Sequence, residues 1–191
     1  MICKFKRLLP PPEGSGFPPM INERILFMKK RVAILVSSDS GYRGEREDKS
    51  GPVIREIVES AGYEVTAYEI LPDEQEMLIE WMKQIADEEK AELILTTGGT
   101  GFSERDCMPE ATMQIAQKVV PGIPEAMRAY SARFTKRAML SRAVCVIRNH
   151  TLIVNLPGSP KAVTECLEYI MSELDHGIEI LTGEARNCAR K

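Results

Sequence analysis

Histidine is almost missing from the 191-residue chain: His150 and His176 are the only two, so a multi-histidine metal centre is excluded. Cysteine is sparse as well. Cys3, Cys107, Cys145, Cys166 and Cys188 are odd in number and form no CxxC pair. That spacing argues against a disulfide framework or a zinc ribbon and fits the reduced thiols of a cytosolic protein. No apolar run approaches the roughly 20 residues of a membrane span. Neither sign of charge dominates: 25 basic and 28 acidic residues leave a net −3. A broad basic surface for non-specific nucleic-acid binding is therefore not expected, although a small basic pocket is compatible. Two nucleotide signatures are also absent. Glu104 stands where a GxGxxG run needs its last glycine, and no Gly-Lys-Ser/Thr completes a Walker loop.

What is present is 43% hydrophobic residues, enough for a core, in a length that suits one domain. That domain is expected over residues 28–191. Residues 1–27 differ from it. Pro10, Pro11, Pro12, Pro18 and Pro19 interrupt them, with Gly14 and Gly16 between. Proline removes backbone donors, so a disordered or loosely docked arm is expected. Lys4-Phe5-Lys6-Arg7 makes a basic start, but no apolar core long enough for a signal peptide follows. A strand begins almost at once after Met28, which marks Met28 as the expected natural start.

From Arg31 onwards apolar runs alternate with amphipathic stretches. Val32–Val36 is a β-branched-rich run suited to a strand covered on both faces, and it ends in the polar turn Ser37-Ser38-Asp39-Ser40. Ser50-Gly51-Pro52 predicts a helix start with Ser50 as cap, and Gly62 its stop. Tyr63–Ile70 reads as a strand. Asp73 and Glu76 have capping-box spacing for a helix whose buried stripe is Met77, Leu78, Trp81, Met82 and Ile85. Leu93–Thr97 is a third strand. Helices are expected from Pro109 to about Lys118 and from Ile123 to Arg133. Val144–Ile147 and Leu152–Val154 are strands whose short link Arg148-Asn149-His150 permits only an antiparallel pair. Ser159 and Pro160 open a last helix with Val163, Leu167, Ile170 and Leu174 on its apolar face. The order predicts an α/β fold: a three-layer, doubly wound, mostly parallel sheet with helices on both faces and a late antiparallel strand pair.

Chemistry gathers at the polar turns. Gly98-Gly99-Thr100-Gly101 follows a strand directly, and glycines let several N–H groups approach one anion. The same run also suits an ordinary strand-to-helix turn. Asp106 lies five residues beyond Gly101, and Asp73 just past the second strand. Two carboxylates at that end of the sheet could hold Mg²⁺ on a triphosphate. By spacing alone, capping is the better role for Asp73, and Asp106 equally suits bracing its own loop. Pro157, Gly158, Ser159 and Lys161 form a second anion-site candidate at a helix start, or a capped helix with a solvated lysine. Ser38, Asp39 and Ser40 also suit a plain turn. Arg133, Lys136, Arg137, Arg142 and Arg148 make a locally basic segment, of which Arg142, between Leu140 and Val144, is best placed to turn inward.

Taken together, these residues resemble a known signature. Thr96-Thr97-Gly98-Gly99-Thr100-Gly101, then Arg105-Asp106 and Pro109-Glu110-Ala111-Thr112, closely resembles that of the molybdopterin adenylyltransferases, the MogA-type family shared with the G domain of gephyrin and its plant counterpart. The resemblance continues through Ser38-Asp39-Ser40, Asp48-Lys49-Ser50-Gly51-Pro52, Leu71-Pro72-Asp73-Glu74, Leu140-Ser141-Arg142 and Asn155-Leu156-Pro157-Gly158, and it spans roughly Lys30 to Leu181. It implies an α/β fold, a homotrimer and a cytoplasmic enzyme. It implies that Asp73 and Asp106 are catalytic, which displaces capping as the main role of Asp73. It implies nucleotide or pterin binding by Gly98, Gly99, Thr100, Gly101 and Ser159, with Ser38, Asp39, Ser50, Glu110, Ser141, Arg142, Pro157, Gly158 and Lys161 as further candidates. Glu104 departs from the proline usual before the Arg-Asp pair. The implied reaction is adenylyl transfer from MgATP to molybdopterin in molybdenum-cofactor synthesis, with hand-over to a molybdate-insertion enzyme. A non-catalytic trimeric molybdopterin-binding module and a paralogue serving a tungsten cofactor are the alternatives.

Overall fold

The structure, a computed structural model, describes residues 29–184. The expected arm over residues 1–27, the expected start at Met28, and Cys3 and Cys188 lie outside the described residues. The sheet has six strands: β1 (Arg31–Ser37), β2 (Glu64–Leu71), β3 (Leu93–Thr97), β4 (Lys118–Val119), β5 (Cys145–Arg148) and β6 (Thr151–Leu156). Their order is β2-β1-β3-β6-β5-β4. The first four in that order are parallel; β5 is antiparallel to β6, and the edge strand β4 is antiparallel to β5. The expected fold class and the late antiparallel pair are both found. The helices are α1 (Asp39–Tyr42), α2 (Ser50–Ser60), α3 (Gln75–Asp87), α4 (Met108–Gln114), α5 (Gly122–Ser131) and α6 (Pro160–Thr182), with a 3-10 turn at Lys136–Leu140.

The central strands are apolar at nearly every position because both faces are covered. Alternate side chains serve two separate cores. Val32, Ile34, Leu93, Leu95, Leu152 and Val154 meet α2, α5 and α6 on one face. Ala33, Leu35, Ile94, Ile153 and Val146 meet α3 and α4 on the other. The apolar stripe of α6 extends beyond the expected residues to Cys166 and Ile178.

Four local expectations are corrected. Ser50 does not cap α2: Asp48 Oδ1 accepts from the Ser50 N–H at 2.9 Å, and Asp48 Oδ2 accepts from the Gly51 N–H at 3.1 Å. Asp73 does not cap α3, since Glu74 holds the cap position and the Asp73 carboxylate turns to the end of β1. In α3, Met77 is exposed and Ala86 is buried in the stripe. The helix from Pro109 ends at Gln114, not near Lys118. The main chain beyond it bonds β5 instead, with Gln117 N–H to Ile147 O at 3.0 Å and Val120 N–H to Cys145 O at 2.8 Å. Sheet pairing satisfies those donors, so the weak helical pattern there loses.

Candidate active site

The four parallel strands end together. Val36 of β1 is in register with Ile70 of β2 and Thr97 of β3, and Thr97 with Leu156 of β6. The chain leaves β1 on one side to form β2 and crosses to the other to form β3. That reversal opens a crevice beyond the strand ends, where ligands of doubly wound folds bind.

The glycine run lies in this crevice. Gly98 has φ +93°, and a Cβ there would sit 2.1 Å from the Ser37 carbonyl oxygen. Gly99 follows with φ +63°. Both conformations exclude ordinary side chains, and the loop can press against β1 only because these residues are glycine. The two aspartates flank the same loop. A Cβ on Gly99 would lie 3.2 Å from Asp73 Oδ1, and one on Gly101 would lie 2.8 Å from Asp106 Oδ2. Two carboxylates far apart in the chain therefore approach the loop at neighbouring points.

Each carboxylate is held. Ser37 Oγ–H donates to Asp73 Oδ1 at 2.6 Å, and Asp39 N–H donates to Asp73 Oδ2 at 3.1 Å. Asp106 Oδ2 accepts from the Ser103 N–H at 3.0 Å. Asp106 thus does brace its loop, and its second oxygen makes no part of that brace. Arg142 turns inward as expected, but toward protein. Its Nε donates to Gly101 O at 2.6 Å, its Nη2 to Asp106 O at 2.8 Å, and its Nη1 pairs with Glu110. Arg142 and Glu110 therefore fix the shape of the loop.

Two clefts open on either side of the glycine run. The first, about 440 Å³, is lined by Ser38, Ser50, Gly98, Gly158 and Ser159, with Arg46 and Lys49 at its rim. Ser50 Oγ–H donates to Gly158 O at 2.9 Å, tying α2 to the turn before α6. Asp48 makes this possible by taking over the cap, and Tyr68 O–H in turn donates to Asp48. Ser159 caps α6 by accepting from the Ala162 N–H at 3.3 Å, so the helix start faces this cleft. The second cleft, about 290 Å³, is more apolar and includes Thr100, Gly101, Met127, Leu140, Ser141 and Pro157. Of the predicted residues, Ser38, Ser50, Gly98, Gly158 and Ser159 line the first cleft and Thr100, Gly101, Ser141 and Pro157 the second, while Gly99, Asp73, Asp106, Glu110 and Arg142 line neither. Lys161 lines neither: it is exposed and 3.8 Å from Glu165. Asp39 lines neither as well, because Arg105 and the Asp73 N–H take up its carboxylate.

Charges around the site have definite causes. The Arg105 guanidinium holds the Asp39 carboxyl below the usual carboxylate range, assisted by the Asp73 main chain. Asp39 and then Glu74 raise the Arg105 pKa, so it stays charged. Burial pushes the Cys107 thiol up and the Asp73 charge adds to that, so Cys107 is no thiolate nucleophile at neutral pH. Beneath the loop, Asn155 Nδ2 donates at 2.9 Å to both Thr96 Oγ1 and Thr112 Oγ1, and its Oδ1 accepts from the Val144 N–H at 3.2 Å. This buried network joins β3, β6 and α4. Sequence reasoning missed Ser37, Asp48 and the roles of Asn155 and Arg105. Ser37 reads in sequence as one more residue of a polar turn, and only the structure makes it the last residue of β1; Asp48, Arg105 and Asn155 are visible only as motif members.

The fold and site define a doubly wound α/β protein with a glycine loop between two clefts and two acids beside it. The chain belongs to the family described as the probable molybdopterin binding domain, which it matches over residues 33–176. It is 38% identical over 154 residues to the molybdopterin adenylyltransferase of Helicobacter pylori, covering 80% of this chain and 88% of that protein. The crystal structure of the molybdopterin biosynthesis enzyme MoaB from Thermus thermophilus is 47% identical, with a TM-score of 0.77 over 81% of this chain and 97% of that one. The tungsten cofactor synthesizing protein MoaB from Pyrococcus furiosus is 33% identical, with a TM-score of 0.74 over 81% and 98%.

Proposed function

We propose that this chain transfers the adenylyl group of ATP to molybdopterin in molybdenum-cofactor biosynthesis. The observation that carries this reading is the approach of Asp73 and Asp106 to one glycine loop that separates two clefts. Two substrates must meet in line, and a shared wall built of main chain lets their phosphates come together. An oxygen of the molybdopterin phosphate forms a bond to the α-phosphorus of ATP. The bond from that phosphorus to the bridging oxygen breaks, and pyrophosphate leaves. The nucleophile is already anionic, so no protein base is required, and alignment and charge stabilisation supply the rate. The glycine loop and the start of α6 present N–H groups to phosphate. The more apolar second cleft suits the flat pterin, and the polar first cleft suits the nucleotide phosphates.

Magnesium fits this arrangement. No group of three or more His, Cys, Asp or Glu among the described residues forms a closed metal cage. Mg²⁺ is commonly held by one or two carboxylates together with substrate phosphates and water. Asp73 and Asp106 would hold it, and when bound it neutralises polyphosphate charge.

The test is pyrophosphate release from MgATP and molybdopterin by the purified chain. Release that requires both substrates supports the reading. Tight molybdopterin binding with no release makes the chain a non-catalytic binding module and removes it. The likeness to the Pyrococcus furiosus protein favours a second reading, in which the product enters a tungsten pathway. The pterin step is the same, and the metal content of the enzyme finally loaded distinguishes the two. A homotrimer, a cytoplasmic location and hand-over to a molybdate-insertion enzyme complete the proposal. Light scattering at the mass of three chains tests the trimer. No helix among the described residues is long and apolar enough to cross a membrane.

A further inference from the structure

Asp39 and Asp73 are locked together reciprocally: Asp39 N–H donates to Asp73 Oδ2 at 3.1 Å, and Asp73 N–H donates to Asp39 Oδ1 at 3.1 Å. This arrangement brings two carboxylates close, with Glu74 beside them, and like charges so placed repel. Arg105 meets that charge. Its Nε donates to Asp39 Oδ2 at 3.0 Å, and its Nη2 donates to Asp39 Oδ1 at 2.9 Å and lies 2.8 Å from Glu74 Oε1. Arg105 is also the residue before Asp106. One side chain therefore ties the loop carrying Asp106 to the turn carrying Asp73.

We infer that Arg105 and Asp39 form a clamp that sets the position of Asp73 relative to Asp106, so that both are positioning residues. This rests on the adenylyl-transfer reading above. Magnitudes favour such a role over a stabilising one. Arg105 is half-exposed, and exposed ion pairs contribute little to stability. Two parallel hydrogen bonds to one carboxylate and a close charge contact to a second, all from one planar guanidinium, nevertheless fix geometry well. A ligand-contact role for Asp39 is correspondingly displaced, because both of its oxygens are engaged by Arg105 and one also by the Asp73 N–H.

The test uses the full chain carrying Arg105→Gln, Asp39→Asn or both. Pyrophosphate release yields kcat and the ATP KM, and amide hydrogen exchange reads the clamp without any activity. Each single change is expected to lower kcat by about tenfold or more while moving the ATP KM less than about threefold. The double variant should lose no more than the worse single one, because the two groups act as a unit. The Asp39 and Asp73 amides should exchange faster in all three variants. An elevated ATP KM with kcat retained in Arg105→Gln would mean direct phosphate contact and overturn the inference. So would unchanged turnover in Asp39→Asn, or unchanged exchange at the two amides. An unsubstituted chain that releases no pyrophosphate removes the adenylyl-transfer reading instead, and exchange then decides the clamp alone.

Discussion

Charged residues gather at both ends of the sheet, and they do different things there. At the end where the parallel strands begin, Glu92, Asp175 and Glu179 each meet a cation that is already in place. Arg31 Nε donates to Glu92 Oε1 at 3.0 Å, and the Arg31 N–H to Glu92 Oε2 at 2.7 Å. Lys30 pairs with Asp175 and, at 3.1 Å, with Glu179. These pairs join strand starts to the turn before β3 and to α6. At the opposite end Asp73 and Asp106 flank a glycine loop with Asp39 and Glu74 nearby along the chain from β1 and β2, and Arg105 pairs with Asp39 and Glu74 but not with Asp73 or Asp106. The proposed reaction would account for this surplus of acid, since a polyphosphate and its divalent cation would complete the charge balance there. Balanced charge marks structure, and unbalanced charge beside free geometry marks chemistry.

Substitutions can break this contrast. Asp106→Asn should have the largest effect, lowering turnover by about 100-fold or more while the fold and molybdopterin binding persist. Steady-state kinetics with a melting curve check this; turnover within about twofold of the unsubstituted chain would remove Asp106 from catalysis. Gly98→Ala should lower kcat/KM by about tenfold and also destabilise the chain by roughly 1–3 kcal/mol, because the residue is held in a left-handed conformation against the Ser37 carbonyl. Urea unfolding measures the second part. Asn155→Ala should cost about 1–3 kcal/mol in the same assay by stranding the Thr96 and Thr112 hydroxyls and the Val144 N–H.

The smallest effect belongs to the other end of the sheet. Burial raises the Glu92 pKa, but hydrogen bonds from the Arg31 side chain and main chain outweigh it, leaving the carboxyl below its ordinary value of 4.5. A depressed folded-state pKa stabilises the fold fully above the ordinary value and loses that contribution as pH falls through the folded one. Glu92→Gln should therefore flatten the acid limb of the stability curve below about pH 4.5 and leave neutral-pH turnover unchanged. Thermal melts across pH 3–6 read this, and a change in turnover at neutral pH would erase the contrast between the two ends.

Most of the fold could be read from the residues. The runs at Val32, Leu93 and Leu152 are too apolar for a half-exposed sheet, and their alternation with amphipathic stretches leaves few arrangements other than a doubly wound one. The division of the candidate site between two clefts was not readable. Ser38 and Ser141 are similar as sequence, yet the glycine loop puts them on opposite sides of a wall. Ser50 is the cap that the sequence suggests, and the structure gives that role to Asp48 because Gly158 and Tyr68, distant in the chain, engage Ser50 and Asp48 respectively.

Local pattern by itself determined the order and type of every sheet strand but β4 and of the long helices, the glycine run at a strand end and the family resemblance, because periodicity and motif spacing are properties of neighbouring residues. Tertiary structure alone decided which partner each acid takes: Asp73 with Ser37 and the Asp39 amide, Asp39 with Arg105, Glu110 with Arg142. A charged side chain is satisfied by whatever folding brings within about 3 Å of it, and that distance bears no relation to separation along the chain.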